Sequence, residues 1–141
     1  MAARVSLVTL GVTDVAASTA FYESVGFARS SGSTPEVSFF RAGPVVLAVW
    51  GRDDLAADAG LDDPGGPPRA AALAMNLSSE AEVDEHWQAW VDAGAAPLKR
   101  PERVYWGGYS SYVADRDGHV WELAYNPGWP LRDDGSVDLP M

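Results

Sequence analysis

Cysteine is absent from the chain, and only two histidines, His86 and His119, occur in its 141 residues. Disulfides, thiol catalysis and thiolate metal sites are therefore excluded, and a zinc, iron or nickel centre would have few nitrogen donors to draw on. Basic residues are scarce too: ten Lys and Arg stand against twenty Asp and Glu, a formal net charge of −10. That charge repels phosphate backbones, so nucleic acid is not an expected partner; it suits solubility and, more sharply, a cationic small ligand. No apolar run approaches the roughly 18 residues of a membrane span, and the N-terminus lacks the order of a signal peptide. No membrane partner is expected, and the expected location is cytoplasmic. What the chain does contain is 47% hydrophobic residues, enough at this length for one domain with a sizeable core.

Arg4 to Val12 is β-branched and ends at Thr13-Asp14, which predicts a strand. On it Val5, Leu7, Thr9 and Gly11 face one way, and Ser6, Val8, Leu10 and Val12 the other. Asp14 suits the N-cap of a helix over Val15 to Val25, with Val15, Ser18, Tyr22 and Val25 on one stripe, Phe21 beside it and Gly26 as the stop. A short strand near Phe27 to Ser30 precedes a hairpin of Val37 to Ala42 and Val45 to Trp50 across Gly43-Pro44. The following Asp-, Gly- and Pro-rich stretch, residues 51–69, reads chiefly as a linker, with one or two helical turns over Asp54 to Ala59.

Ala70 to Leu77 restarts the pattern as a strand. Ser79 to Glu82 has the form of a capping box, in which Ser79 bonds the Glu82 amide and the Glu82 carboxylate reaches back. The helix after it runs to Ala93 and buries Val83, Trp87, Trp90 and Val91, with Gly94 as its stop. Pro97 to Glu102 is extended. A final hairpin joins Gly108 to Ala114 with His119 to Tyr125 across Asp115-Arg116-Asp117-Gly118. On its returning strand Val120, Glu122 and Ala124 share one face, while His119, Trp121, Leu123 and Tyr125 share the other. Both halves thus run strand, capped helix, glycine stop, short strand, hairpin, which points to an internal duplication. Its parts are module one at 4–50, the linker at 51–69, module two at 70–125 and a tail at 126–141. The tail's Trp129, Asp134-Gly135 and prolines suit a small extra hairpin.

A β-α-β-β-β unit occurring twice, with Thr13 to Phe27 reading TD-x₄-T-x-FYE-x-x-GF and Asp115 to Pro127 reading D-x-DGH-x-WE-x-AYNP, resembles the vicinal oxygen chelate superfamily. That group holds glyoxalase I, extradiol dioxygenases, fosfomycin-resistance enzymes and bleomycin-resistance proteins. The resemblance implies an α+β fold of two βαβββ modules, each a curled mixed sheet or half-barrel, around a cleft. It also implies a homodimer and, in the enzymes, a divalent metal held by first and last strands. Carried over position by position, the metal ligands fall on Leu7, Leu47, Ala72 and Glu122, of which Glu122 alone can bind a metal. A catalytic metal needs about three protein ligands.

The expected function is therefore binding of a small organic ligand, cationic or aromatic, in an aromatic cleft without a metal cofactor, as in the bleomycin-resistance type. Tyr105, Trp106 and Tyr109 flank Gly107-Gly108 and could sandwich a planar ring, with Leu7, Thr9, Leu47 and Ala72 as further lining. Two alternatives stand beside this: a lyase or dioxygenase with a divalent metal on Glu122, and a metal-free isomerase or hydrolase with Glu122 as catalytic acid-base group. Glu122 could equally pair with Arg41 or Arg103. His86, beside the tryptophan stripe, and His119, pointing away from Glu122, read as structural.

Overall fold

The computed structural model describes residues 2–140. The chain falls into two compact units, 1–66 and 67–141, so their boundary lies inside the stretch read as linker. No helix among the described residues is long and apolar enough to cross a membrane.

Unit one runs β1 (Leu7–Val12), α1 (Val15–Ser24), β2 (Ala28–Arg29), β3 (Val37–Ala42), β4 (Val45–Gly51) and α2 (Arg52–Ala59). Its four-stranded sheet has the order β1-β4-β3-β2; β1 and β4 are parallel and the other neighbours antiparallel. Asp14 caps α1 by accepting the Ala17 amide at 3.0 Å. At the other end Gly26 takes φ 107°, Gly26 N–H donates to Glu23 O and Phe27 N–H to Tyr22 O. These two bonds close the helix in a left-handed cap that a residue with a Cβ adopts only under strain. The cap also brings Phe27 edge-on to Tyr22 at 5.7 Å, and Phe40 joins them from β3. Tyr22, Phe40, Leu47 and Val49 are buried between α1 and one face of the sheet.

The segment after β4 is more ordered than its composition implies. Eight residues of it form α2, starting at Arg52 rather than Asp54, with Asp53 and Asp54 in the first turn, where a helix dipole favours carboxylates. Gly11 admits this helix to the sheet: a Cβ there would lie 3.0 Å from Cβ of Arg52. Arg52 then folds the following loop back, its Nη2 donating to Asp63 Oδ1 at 2.8 Å and its Nη1 to Gly66 O at 2.9 Å. Eleven residues separate the Arg52–Asp63 partners, a range that local composition does not register.

Unit two repeats the plan: β5 (Ala72–Asn76), α3 (Glu80–Asp92), β6 (Ala96–Arg103), β7 (Tyr109–Ala114) and β8 (Val120–Tyr125), in a sheet ordered β5-β8-β7-β6. β5 and β8 are the parallel pair. Ser79 caps α3 as expected, accepting the Glu82 amide at 3.1 Å. The Glu82 carboxylate, however, reaches one residue further back, to the amide and hydroxyl of Ser78 at 2.9 and 2.7 Å. Gly94 ends α3 at φ 111° with the bonds seen at Gly26: Gly94 N–H to Val91 O and Ala95 N–H to Trp90 O. The core is Val83, Trp90, Val113, Trp121 and Leu123, with the two indoles 5.2 Å apart. Trp87 is only half-buried and donates its indole N–H to Tyr112 O. In the tail, Leu131 and Val137 bridge antiparallel and Arg132 pairs with Asp138, which makes the extra hairpin.

The Arg52 hydrogen bond, followed by the Gly65 amide, holds the Asp63 carboxyl down at about 2. A depressed carboxyl adds stability above its unfolded value of 3.8, and that contribution is lost as pH falls toward 2. Hydrogen exchange should therefore find the Gly65 amide, which donates to Asp63 Oδ1 at 2.9 Å, protected from neutral pH down to about 4 and losing protection below it. Asp63→Asn should lower that protection already at neutral pH; equal protection in both proteins would mean the loop is held by something else.

Candidate functional site

The turn between β7 and β8 decides which way Glu122 points. Asp115, itself buried, accepts the amides of Asp117 and His119 on Oδ1, each at 2.9 Å, and its own amide donates to His119 O. With the turn fixed, Ala114 pairs with Val120 and the register runs unbroken to Tyr109 and Tyr125. Trp121 and Leu123 then face α3, where Trp121 meets Trp90. By alternation Glu122 stands on the sheet's helix-free face.

Across that face the pairing sets one row: Ala74 on β5, Glu122 on β8, Tyr112 on β7 and Lys99 on β6. Ser110, one step along the same face of β7 and 5% exposed, donates its hydroxyl to Glu122 Oε2 at 2.6 Å. Burial, then the charge of Glu122, raises the Tyr112 phenol above its ordinary value; a hydrogen bond to Glu122 adds to this and the charge of Lys99 subtracts. Lys99 is itself 2.8 Å from Glu102, whose hydrogen bond raises it. The result is a carboxylate oriented by the Ser110 hydroxyl, beside a phenol that stays protonated through neutral pH. Such a set can hold a ligand's hydrogen-bond donor or positive group and place a ring against Tyr112.

Of the residues singled out from the sequence, Ala72 lies on this face beside Val120, one pair along from Ala74 and Glu122. Leu7 and Thr9 lie on the corresponding face of the first sheet, beside Val46 and Ala48. Leu47 is a correction. It pairs with Val8 and with Phe40, is 2% exposed, and points into the α1 side of the sheet. The position matching Glu122 is Ala48, since Thr9 pairs with Ala48 as Ala74 pairs with Glu122. Gly43 and Gly118 align along the chain, but Val45 and Val120, which follow them, sit on opposite faces because the second turn is longer.

The expected aromatic sandwich is corrected as well. Tyr109 projects to the helix side, where its hydroxyl donates to Asp84 Oδ1 on α3 at 2.7 Å. Tyr105 and Trp106 form the turn between β6 and β7, with Tyr105 wholly exposed. The Trp106 ring lies across Gly108, where a Cβ would come 1.7 Å from Cζ3. The glycine therefore serves the tryptophan rather than a ligand. Arg103 reaches Glu80 at 3.4 Å and leaves Glu122 to Ser110 and Tyr112. His86 is half-buried on α3, and the His119 backbone closes the Asp115 turn.

Tyr112, Ser110 and Lys99 were not singled out from the sequence. The signal was present: Ser110 and Tyr112 alternate with Tyr109 and Ser111, so the hairpin register alone puts them on the face of Glu122. Among the described residues no three His, Cys, Asp or Glu come together as a group that could hold a metal ion. With Ala74 and Tyr112 as its row neighbours and Ser110 as its hydrogen-bond donor, Glu122 does not have the donor set of a divalent centre.

Residues 4–123 match the family model of the Glyoxalase/Bleomycin resistance protein/Dioxygenase superfamily. Among solved structures, a glyoxalase-related enzyme from Fulvimarina pelagi is similar at 39% identity and a TM-score of 0.90, covering 98% of this chain and 99% of its own. A family enzyme from Burkholderia phytofirmans PsJN is similar at 23% identity and a TM-score of 0.76, over 87% of this chain and 98% of its own. A lactoylglutathione lyase from Agrobacterium tumefaciens is similar at 23% identity and a TM-score of 0.70, over 94% of this chain and 100% of its own. At that identity the last two speak for the fold alone. A comparison with curated proteins found no match.

In an alkaline titration followed by phenolate absorbance, with Tyr112→Phe as the subtracted reference, Tyr112 should ionise above the ordinary value of 10.0. The stabilisation this reflects is complete below that value and is lost as pH rises through the raised one. Glu122→Gln should bring the titration part of the way down, because burial, the larger cause, remains. An unchanged titration would separate the two side chains.

Proposed function

The chain belongs to the Glyoxalase/Bleomycin resistance protein/Dioxygenase superfamily, and from that premise we propose that it binds a small organic ligand on the helix-free face of β5 to β8, with Glu122 as the polar anchor and no divalent metal. The observation that carries this is the environment of Glu122. Its carboxylate accepts the Ser110 hydroxyl at 2.6 Å and lies beside Tyr112, its cross-strand neighbour, while the positions where the resemblance sets the other metal ligands hold Leu7, Ala72 and, on the corrected register, Ala48. An alanine or leucine in those places offers no side-chain donor to a metal.

The ligand this favours has a flat or aliphatic body and a hydrogen-bond donor or positive group directed at Glu122, in keeping with the net charge of −10. Binding without turnover fits a carboxylate whose neighbours orient it. The same reading has the protein act as a homodimer in the cytoplasm, with a small molecule rather than nucleic acid or membrane as its partner.

Acriflavine, a planar cationic dye, provides a test by fluorescence anisotropy. Saturable binding to the native protein should weaken about tenfold in Glu122→Gln, since a hydrogen bond to a charged group contributes about 1.5–3 kcal/mol, and by a smaller factor in Ser110→Ala. Equal affinity in the native protein and Glu122→Gln would remove Glu122 from the site.

A further inference from the structure

The tail after β8 builds a surface of its own. Around the Leu131–Val137 bridge, Arg132 N–H donates to Ser136 O at 2.8 Å and Asp138 N–H to Pro130 O at 2.7 Å. The Arg132 guanidinium then ties the two arms, donating to Val137 O at 3.0 Å and to Asp138 Oδ1 at 2.8 Å. Two residues outside the bridged pair on each arm come Trp129 and Leu139, the spacing at which strand side chains return to one face. They are 41% and 48% exposed, so the hairpin carries large apolar side chains that its own unit leaves open. Near its tip Asp134 is used in the turn, accepting the Ser136 amide and hydroxyl. Asp133 is exposed and forms no ion pair among the described residues.

A complement to it lies on the same unit. β6 is an edge of the second sheet and departs from regular pairing twice, between Pro97 and Lys99 and between Lys99 and Glu102. Pro97 and Pro101 have no amide N–H, so this edge is ill suited to accept another strand and offers side chains instead. Leu98, the extra residue at the first irregularity, is 53% exposed. Three of the chain's ten basic residues, Lys99, Arg100 and Arg103, fall on this strand. A chain of net charge −10 can be approached here by a copy of itself without meeting like charge. Lys99 pairs with Glu102 and Arg103 with Glu80, while Arg100 is exposed and forms no ion pair among the described residues. An apolar hairpin with a free carboxylate near its tip matches an edge strand that sets an exposed leucine close to a free guanidinium, and a two-fold pair makes the match twice. We propose that the tail hairpin of one protomer docks on β6 of its partner, with Trp129 and Leu139 covering Leu98 and with Asp133 facing Arg100. This interface rests on the homodimer reading above and does not involve Glu122.

Sedimentation velocity over a range of concentrations reads the self-association directly. The native chain should run as a dimer. Arg100→Glu and Asp133→Arg should each weaken association about tenfold, since either change sets like charges together at both contacts of a two-fold pair. Mixed in equal amounts, the two variants should associate as tightly as the native protein, because each supplies the charge that the other has reversed. A recovery on mixing cannot come from chains that fail to fold. Trp129→Ala should weaken the native dimer by about tenfold or more. A native chain that stays monomeric would overturn the homodimer reading and this interface together. A dimer whose affinity is unchanged in Arg100→Glu and Asp133→Arg, or weakened variants that stay apart when mixed, would overturn this interface alone.

Discussion

Burial of Trp121 and Leu123 against α3 is the constraint from which the rest of unit two follows. The two large side chains have a place on one face only, where Trp121 meets Trp90. Strand geometry then sends Glu122 to the other face, and a slip of one residue would bury a carboxylate and expose an indole. The Asp115 turn holds that register by accepting two amides. Everything polar on the free face, from Ser110 and Tyr112 to Lys99, takes its position from the same alternation.

The architecture was legible because its signals are local. The caps at Asp14 and Ser79, the stops at Gly26 and Gly94 and the hairpin partners Val37–Ala42 and Val45–Gly51 depend on residues close together in the chain. Helix α2 was less legible, since it rests on a fit against Gly11 and an ion pair from Arg52 to Asp63. Within the candidate site Glu122 stood out as a lone acid in an apolar strand. Leu47 was placed on the wrong face because the duplication was aligned on turn glycines, and the two turns differ in length. Tyr109 was grouped with Trp106 by adjacency, yet the next residue in a strand points the other way, and Asp84 on α3 claims its hydroxyl.

The duplicated units share a plan and differ in the chemistry of their free faces. The second presents a carboxylate held by the Ser110 hydroxyl; the first carries apolar residues and, among its strands, no acidic one. Family membership explains the common plan, and a scaffold of this kind hosts many unrelated functions. Function therefore has to be argued from those faces. On the free face of the second sheet this chain keeps one carboxylate, Glu122, between Ala74 and Tyr112.

The measurement that bears most directly on this account is the divalent metal content of protein purified without chelator, by inductively coupled plasma mass spectrometry, for the native chain and Glu122→Ala side by side. The account predicts no stoichiometric metal in either. Near-stoichiometric metal in the native protein that disappears with Glu122→Ala would contradict it and make Glu122 a metal ligand.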